Sequence, residues 1–168
     1  MKTETRFFCG LILGLLSFSA PANNSDFTFG SGYPYLFVAE VSVASNENQQ
    51  RWFANYKLGF DDGFSLGVEH GLGEEKKHAI GLFVGALGVS DADSCEVNND
   101  PFGAVTLGCA FVEIFDDETT NGVGLSYTFN FNGLNNPGGR IRLEYGYGEG
   151  VDSGKERSDG NLTYSYQF

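Results

Sequence analysis

From residue 35 to the last residue, apolar and polar side chains alternate with a period of two, and no stretch carries the 3.6-residue period of a helix. The clearest case is "GVGLSYTFNFNG", where Tyr127, Phe129 and Phe131 share one face and Ser126, Thr128 and Asn130 the other. "RIRLEYGYGEG" sets Ile141, Leu143, Tyr145 and Tyr147 against Arg140, Arg142, Glu144, Gly146 and Gly148. "RWFANYKLGF" sets Trp52, Ala54, Tyr56, Leu58 and Phe60 against Arg51, Phe53, Asn55, Lys57 and Gly59, and "GFSLGVEHGL" sets Phe64, Leu66 and Val68 against Ser65, Gly67 and Glu69. Tyr35 to Ala44, Ala79 to Gly88, Ala104 to Glu113 and Asp159 to Phe168 bring the predicted strands to eight. Gly, Asn and Asp clusters separate them, as turns require.

The second face decides what the first one meets. A soluble β-sandwich exposes that second face to water and decorates it with charge. Here it is rich in Gly, Ser, Thr and Asn, residues small enough for the interior of an eight-stranded barrel, which its own side chains fill. Its few charges balance, with Lys57, Arg140 and Arg142 against Glu40, Glu69 and Glu144. An unpaired buried ion costs several kcal/mol, so equal numbers imply a paired interior network rather than six solvated surface charges. In hydrocarbon every backbone N–H and C=O needs a partner within the protein, so strands cross only as a closed barrel, each about 9 to 11 residues long. The expectation is an eight-stranded antiparallel up-and-down transmembrane β-barrel over residues 23–168.

Strand parity assigns sides. With Phe168 inside, the turns at Asp61 to Gly63 and "NGLNNPGG" fall inside, while "SNENQ", "GEEKK", "FDDETT" and "VDSGKERS" fall outside. "SDADSCEVNNDPFG" is then a long inner loop. Ala104 to Glu113 is the weakest strand. If Asp26 to Gly32 ("DFTFGSG") is a strand and Ala104 to Glu113 is not, the total stays eight but the inside and outside labels after Gly88 no longer follow.

The first 22 residues have the layout of a secretory signal peptide: Lys2 and Arg6, an apolar stretch from Phe7 to Phe18, then Ala20-Pro21-Ala22. That stretch is shorter than the roughly 20 residues of a spanning helix. Without Lys2, Arg6 and Glu4, the 10 basic and 22 acidic residues become 8 and 21, a net charge of −13. Such a balance argues against nucleic acid as a partner. Cys95 and Cys109 remain in an oxidising compartment, where a disulfide is expected. By the chain-entropy model a loop of about 15 residues so closed gains about 3 kcal/mol. Two cysteines and two distant histidines, His70 and His78, do not make a zinc site.

The ending "LTYSYQF" resembles the C-terminal assembly signal of outer-membrane β-barrel proteins, through Leu162, Tyr164, Tyr166 and Phe168. That resemblance implies recognition of these four residues by the barrel-assembly machinery. In length and strand count the chain is similar to the small eight-stranded barrels typified by the membrane domain of outer-membrane protein A. The implied setting is the bacterial outer membrane, with lipid and lipopolysaccharide as surroundings and a monomer as the assembly.

No catalytic, cofactor or metal site is expected. The lipid A deacylases among such barrels carry a His-x-Ser pair, whereas here Leu72 follows His70 and Ile80 follows His78 at that spacing. Asp91, Asp93, Glu96 and Asp100, like Asp116, Asp117 and Glu118, lack the glycine and glutamate positions of a twelve-residue calcium loop. Outer loops this short favour a structural, envelope-integrity role over adhesion. A lipid A-modifying enzyme and a surface binding protein are the alternatives.

Overall fold

The computed structural model describes residues 25–45, 49–91 and 117–168. They form eight antiparallel strands: β1 (Ser25–Tyr33), β2 (Phe37–Ser45), β3 (Gln50–Leu58), β4 (Gly63–Leu72), β5 (His78–Asp91), β6 (Asp117–Asn130), β7 (Gly138–Gly150) and β8 (Glu156–Gln167). Each pairs with its neighbour in sequence, and β1 pairs with β8, so the sheet is a closed barrel. No helix occurs among the described residues.

Strand membership differs from expectation at one place. Asp26 to Gly32 lies in β1, where Phe27 and Phe29 alternate with Thr28 and Gly30. Ala104 to Glu113 lies outside the described residues, as do the proposed leader and Cys95 and Cys109. Moving one strand upstream shifts the parity of everything between. The turn at Asp61 to Gly63 therefore sits at the end opposite Phe168, and Gly73 to Lys77 sits at the Phe168 end, both reversed from expectation. β5 ends and β6 begins at the end opposite Phe168, and the expected inner loop between them lies outside the described residues beyond Asp91.

Followed through the register, Thr28 leads by way of Glu40, Asn55, Ser65, Gly85, Gly122 and Gly148 to Arg157. Across the closing seam Thr28 faces Gln167, so the sheet closes with a stagger of ten residues. With strands about 4.8 Å apart and about 3.3 Å per residue, that stagger tilts them about 40° from the barrel axis. The seam is held at its end by the Phe168 amide donating to Phe27 O at 2.9 Å and by stacking of the two rings, 6.4 Å between centroids.

The lumen is packed by large side chains set against glycines. A Cβ on Gly67 would lie 2.4 Å from Cζ of Phe53, so the ring occupies the room the glycine leaves. Phe53, Phe83 and Leu87 form one buried cluster, and Tyr35, Val38 and Ala86 another. Leu87 keeps the inward parity of Phe83, and Ala86 beside it is also buried because the β5–β6 register shifts between Ala86 and Gly88. Such a bulge re-aims side chains and frees backbone groups. Here the freed carbonyls find partners: Ala86 O accepts from Lys57 Nζ at 2.6 Å and from Ser65 Oγ at 3.1 Å, and Leu87 O accepts from Asn161 Nδ2 at 2.6 Å.

Candidate functional site

Alternation along each strand sends one set of side chains outward and the other into the lumen, and the two sets invert the usual arrangement of a globular protein. Thirty large apolar or aromatic residues are exposed among the described residues, against nine buried apolar ones. Leu125 is 65% exposed and Leu82 62%, whereas Glu40, Arg51, Lys57 and Glu69 are at most 1% exposed. On the tilted lattice of the strands, the outward apolar side chains occupy a belt about 25 Å tall. Phe27, Trp52, Phe131, Tyr166 and Phe168 lie toward one edge, and Tyr33, Phe37, Phe60, Phe64 and Tyr147 toward the other. Between them run shorter aliphatic residues, among them Val41, Leu66, Leu82 and Leu143. The four C-terminal residues Leu162, Tyr164, Tyr166 and Phe168 all point outward on this belt.

Inside, Arg142 is the hub. Its guanidinium reaches both oxygens of Glu40, lies 2.9 Å from Glu69 Oε1 and 3.7 Å from Glu144 Oε1, and stacks over the Phe53 ring at 4.2 Å. Arg140 bonds Glu40 Oε1 at 2.6 Å and Ser165 Oγ at 2.9 Å. Lys57 pairs with Glu144, which also accepts from Asn161 Nδ2 at 2.7 Å. The six charges named in the sequence are thus joined in one buried set.

Arg51 belongs to the same set, although the sequence-level balance left it out. It pairs with Glu69 through Nε and Nη2, and its Nη1 donates to Leu134 O at 2.6 Å and Gln167 Oε1 at 2.8 Å. Four cations then face three glutamates. The half-buried Asp26, which accepts from Gln167 Nε2 at 3.0 Å, supplies the nearby fourth carboxylate. The signal was in the sequence: Arg51 shares the parity of Phe53, Asn55 and Lys57.

A second ionic cluster lies beyond the belt, where β5 to β8 extend past the shorter strands. Arg157 Nη1 lies 2.9 Å from Glu118 Oε1, and the Asp152 and Ser153 amides each donate to Glu118 Oε2 at 2.8 Å. Burial works to raise the Glu118 carboxyl pKa. The Ser153 hydroxyl, the two amides and Arg157 outweigh it and hold the pKa down to about 2. Asp159 accepts from Ser90 Oγ and Thr120 Oγ1, each at 2.9 Å. At the same end the Thr119 amide donates to Asp61 Oδ2 at 2.7 Å.

No group of three or more metal-type side chains gathers among the described residues, and Asp93, Glu96, Asp100 and Asp116 lie outside them. Both histidines point outward. His78 Nδ1 is 2.7 Å from the Tyr127 hydroxyl, while His70 faces out from β4 beside Ile80 of β5. No protein-family model, curated protein or solved structure matches the chain.

Proposed function

We propose that this chain is an integral β-barrel of the bacterial outer membrane with a structural, envelope-integrity role. The observation that carries the reading is the inversion itself, an apolar belt around a polar, ion-paired lumen. Soluble monomers rarely expose a contiguous apolar patch above a few hundred Å², and a belt that takes in most of the thirty exposed large apolar residues is far beyond that. Hydrocarbon accepts such a surface, and the belt height is close to the roughly 25 Å apolar band of outer-membrane barrels, with aromatic girdles at both edges. In this reading the belt's partners are lipid and, on the outer side, lipopolysaccharide. β8 is the strand presented to the assembly machinery, and the barrel works as a monomer. Catalysis finds no support at the histidines. The residue two beyond His70 is Leu72, and the one two beyond His78 is Ile80.

The test is migration of the detergent-extracted protein on a gel with and without boiling. A closed barrel resists the detergent, so the unboiled sample should run ahead of the boiled one. Identical migration, together with failure to float with lipid vesicles, would return the chain to the soluble class.

A further inference from the structure

Neighbouring rows of outward side chains leave oblique grooves on the barrel wall. One of them, 740 Å³ in volume, runs between the row Val68, Leu82, Leu125, Tyr145 and the row Gln50, His70, Ile80, Tyr127, Leu143. Because the strands tilt, this groove climbs from the Phe168-side edge of the belt toward its middle. Its walls are apolar except at the lower end, where Gln50 and His70 face each other across β3 and β4. His78 follows one step lower on β5, opposite Leu72, with its ring 5.2 Å from that of Phe129 and Nδ1 at the Tyr127 hydroxyl.

We infer that this groove holds an anionic phospholipid of the Phe168-side leaflet, with an acyl chain along the groove and the phosphate at His70, His78 and Tyr127. Charge placement singles out this sector. The sequence has two histidines, and both lie here, pointing outward from a chain of net charge −12. Among the described residues, Arg51, Lys57, Arg140 and Arg142 are sealed in the lumen, and Lys155 and Arg157 stand at the opposite rim. The remaining basic residues, Lys76 and Lys77, directly precede His78 and follow Glu74 and Glu75, with Lys77 Nζ 2.7 Å from Glu75, so that turn is close to neutral. An anionic headgroup at this edge of the belt therefore meets the imidazole N–H and phenol O–H donors in one place. Charge-assisted bonds to phosphate are the strong ones, and a groove opening beside them gives the chain a fixed course. The inference rests on the membrane reading above.

The test uses the full chain in phosphatidylcholine vesicles containing phosphatidylglycerol with a photoactivatable acyl chain, against the same label on phosphatidylcholine. Phosphatidylglycerol adducts should concentrate several-fold on Ile80, Leu82 and Leu125, while phosphatidylcholine adducts spread around the belt. Replacing both histidines (His70→Ala with His78→Ala) should level the two lipids. Leu82→Trp, which fills the groove and leaves the imidazoles intact, should remove the concentrated adducts. Even labelling by both lipids, or a pattern indifferent to these variants, would defeat the inference, as would cross-linking of the same residues to a second copy. A chain that never enters the vesicles overturns the membrane reading as well; one that inserts but labels evenly overturns this inference alone.

Discussion

Lys57 and Glu144 show at single-residue scale what holds the lumen together. Each is almost wholly buried, and the ammonium also lies 5.3 Å from the Tyr35 ring and 5.4 Å from the Phe83 ring. Removing one partner strands the other in a place water does not reach, at a cost of about 3 to 5 kcal/mol, whereas replacing both is close to neutral. Lys57→Met should therefore lower unfolding free energy in urea by about that amount, and adding Glu144→Gln should restore most of it. Equal stability of the single and double variants would mean the pair is not coupled. Glu118 gives the pH counterpart. Its folded pKa is depressed, so its contribution is complete above the ordinary carboxylate value of 4.5 and is lost as pH falls toward about 2. Protection of the Asp152 and Ser153 amides, taken relative to the intrinsic exchange rate at each pH, should fall as pH is lowered across that window, and Glu118→Gln should remove this acid dependence.

At the scale of elements, β3 and β4 mesh because Phe53 lies where Gly67 has no side chain. Gly67→Ala forces the ring or the strand to move, and overpacking of this kind costs about 1 to 3 kcal/mol. Chemical denaturation should show that loss, and Phe53→Leu in the same chain should recover part of it. No recovery would place the strain elsewhere. The β5–β6 bulge plays a different part, turning two carbonyls inward for Lys57 and Asn161. Alternation predicts which residues of β5 face inward only as far as Gly85. At Ala86 the extra residue resets the face, next to Gly85 with its left-handed φ of 125°. The place of Asp26 to Gly32 in the sheet has a similar cause. Its alternation is local, and it is the pairing of β1 with β2 and β8 that closes the sheet.

For the whole molecule, the filled lumen has a functional consequence. Arg142, Glu40, Glu69, Phe53, Phe83 and Leu87 occupy the axis of a barrel only eight strands around. Such a cylinder is just wide enough for its own side chains, so planar-bilayer recordings of the full chain should show no general porin conductance. Sustained open-channel currents would contradict the packing described. A large share of the architecture was legible in the sequence, because one alternating pattern sets both the outward belt and the polar lumen. The six-residue charge network was legible for the same reason. Arg51 shares the inward parity of Phe53 and Lys57, but it breaks the one-to-one balance of the other six charges.

By itself the sequence determined that the described part of the protein is all-β, that eight strands build it, and which side chains share a face. Those properties follow from side-chain direction at successive residues, which is local. Only the tertiary structure decided which segment is the eighth strand, on which end each turn lies, and how the buried charges pair. These depend on closure, since a stagger of ten residues brings Arg140 and Arg142 on β7 to Glu40 on β2. Residues a hundred positions apart in the chain meet across the lumen, and nothing in their local neighbourhoods encodes that distance.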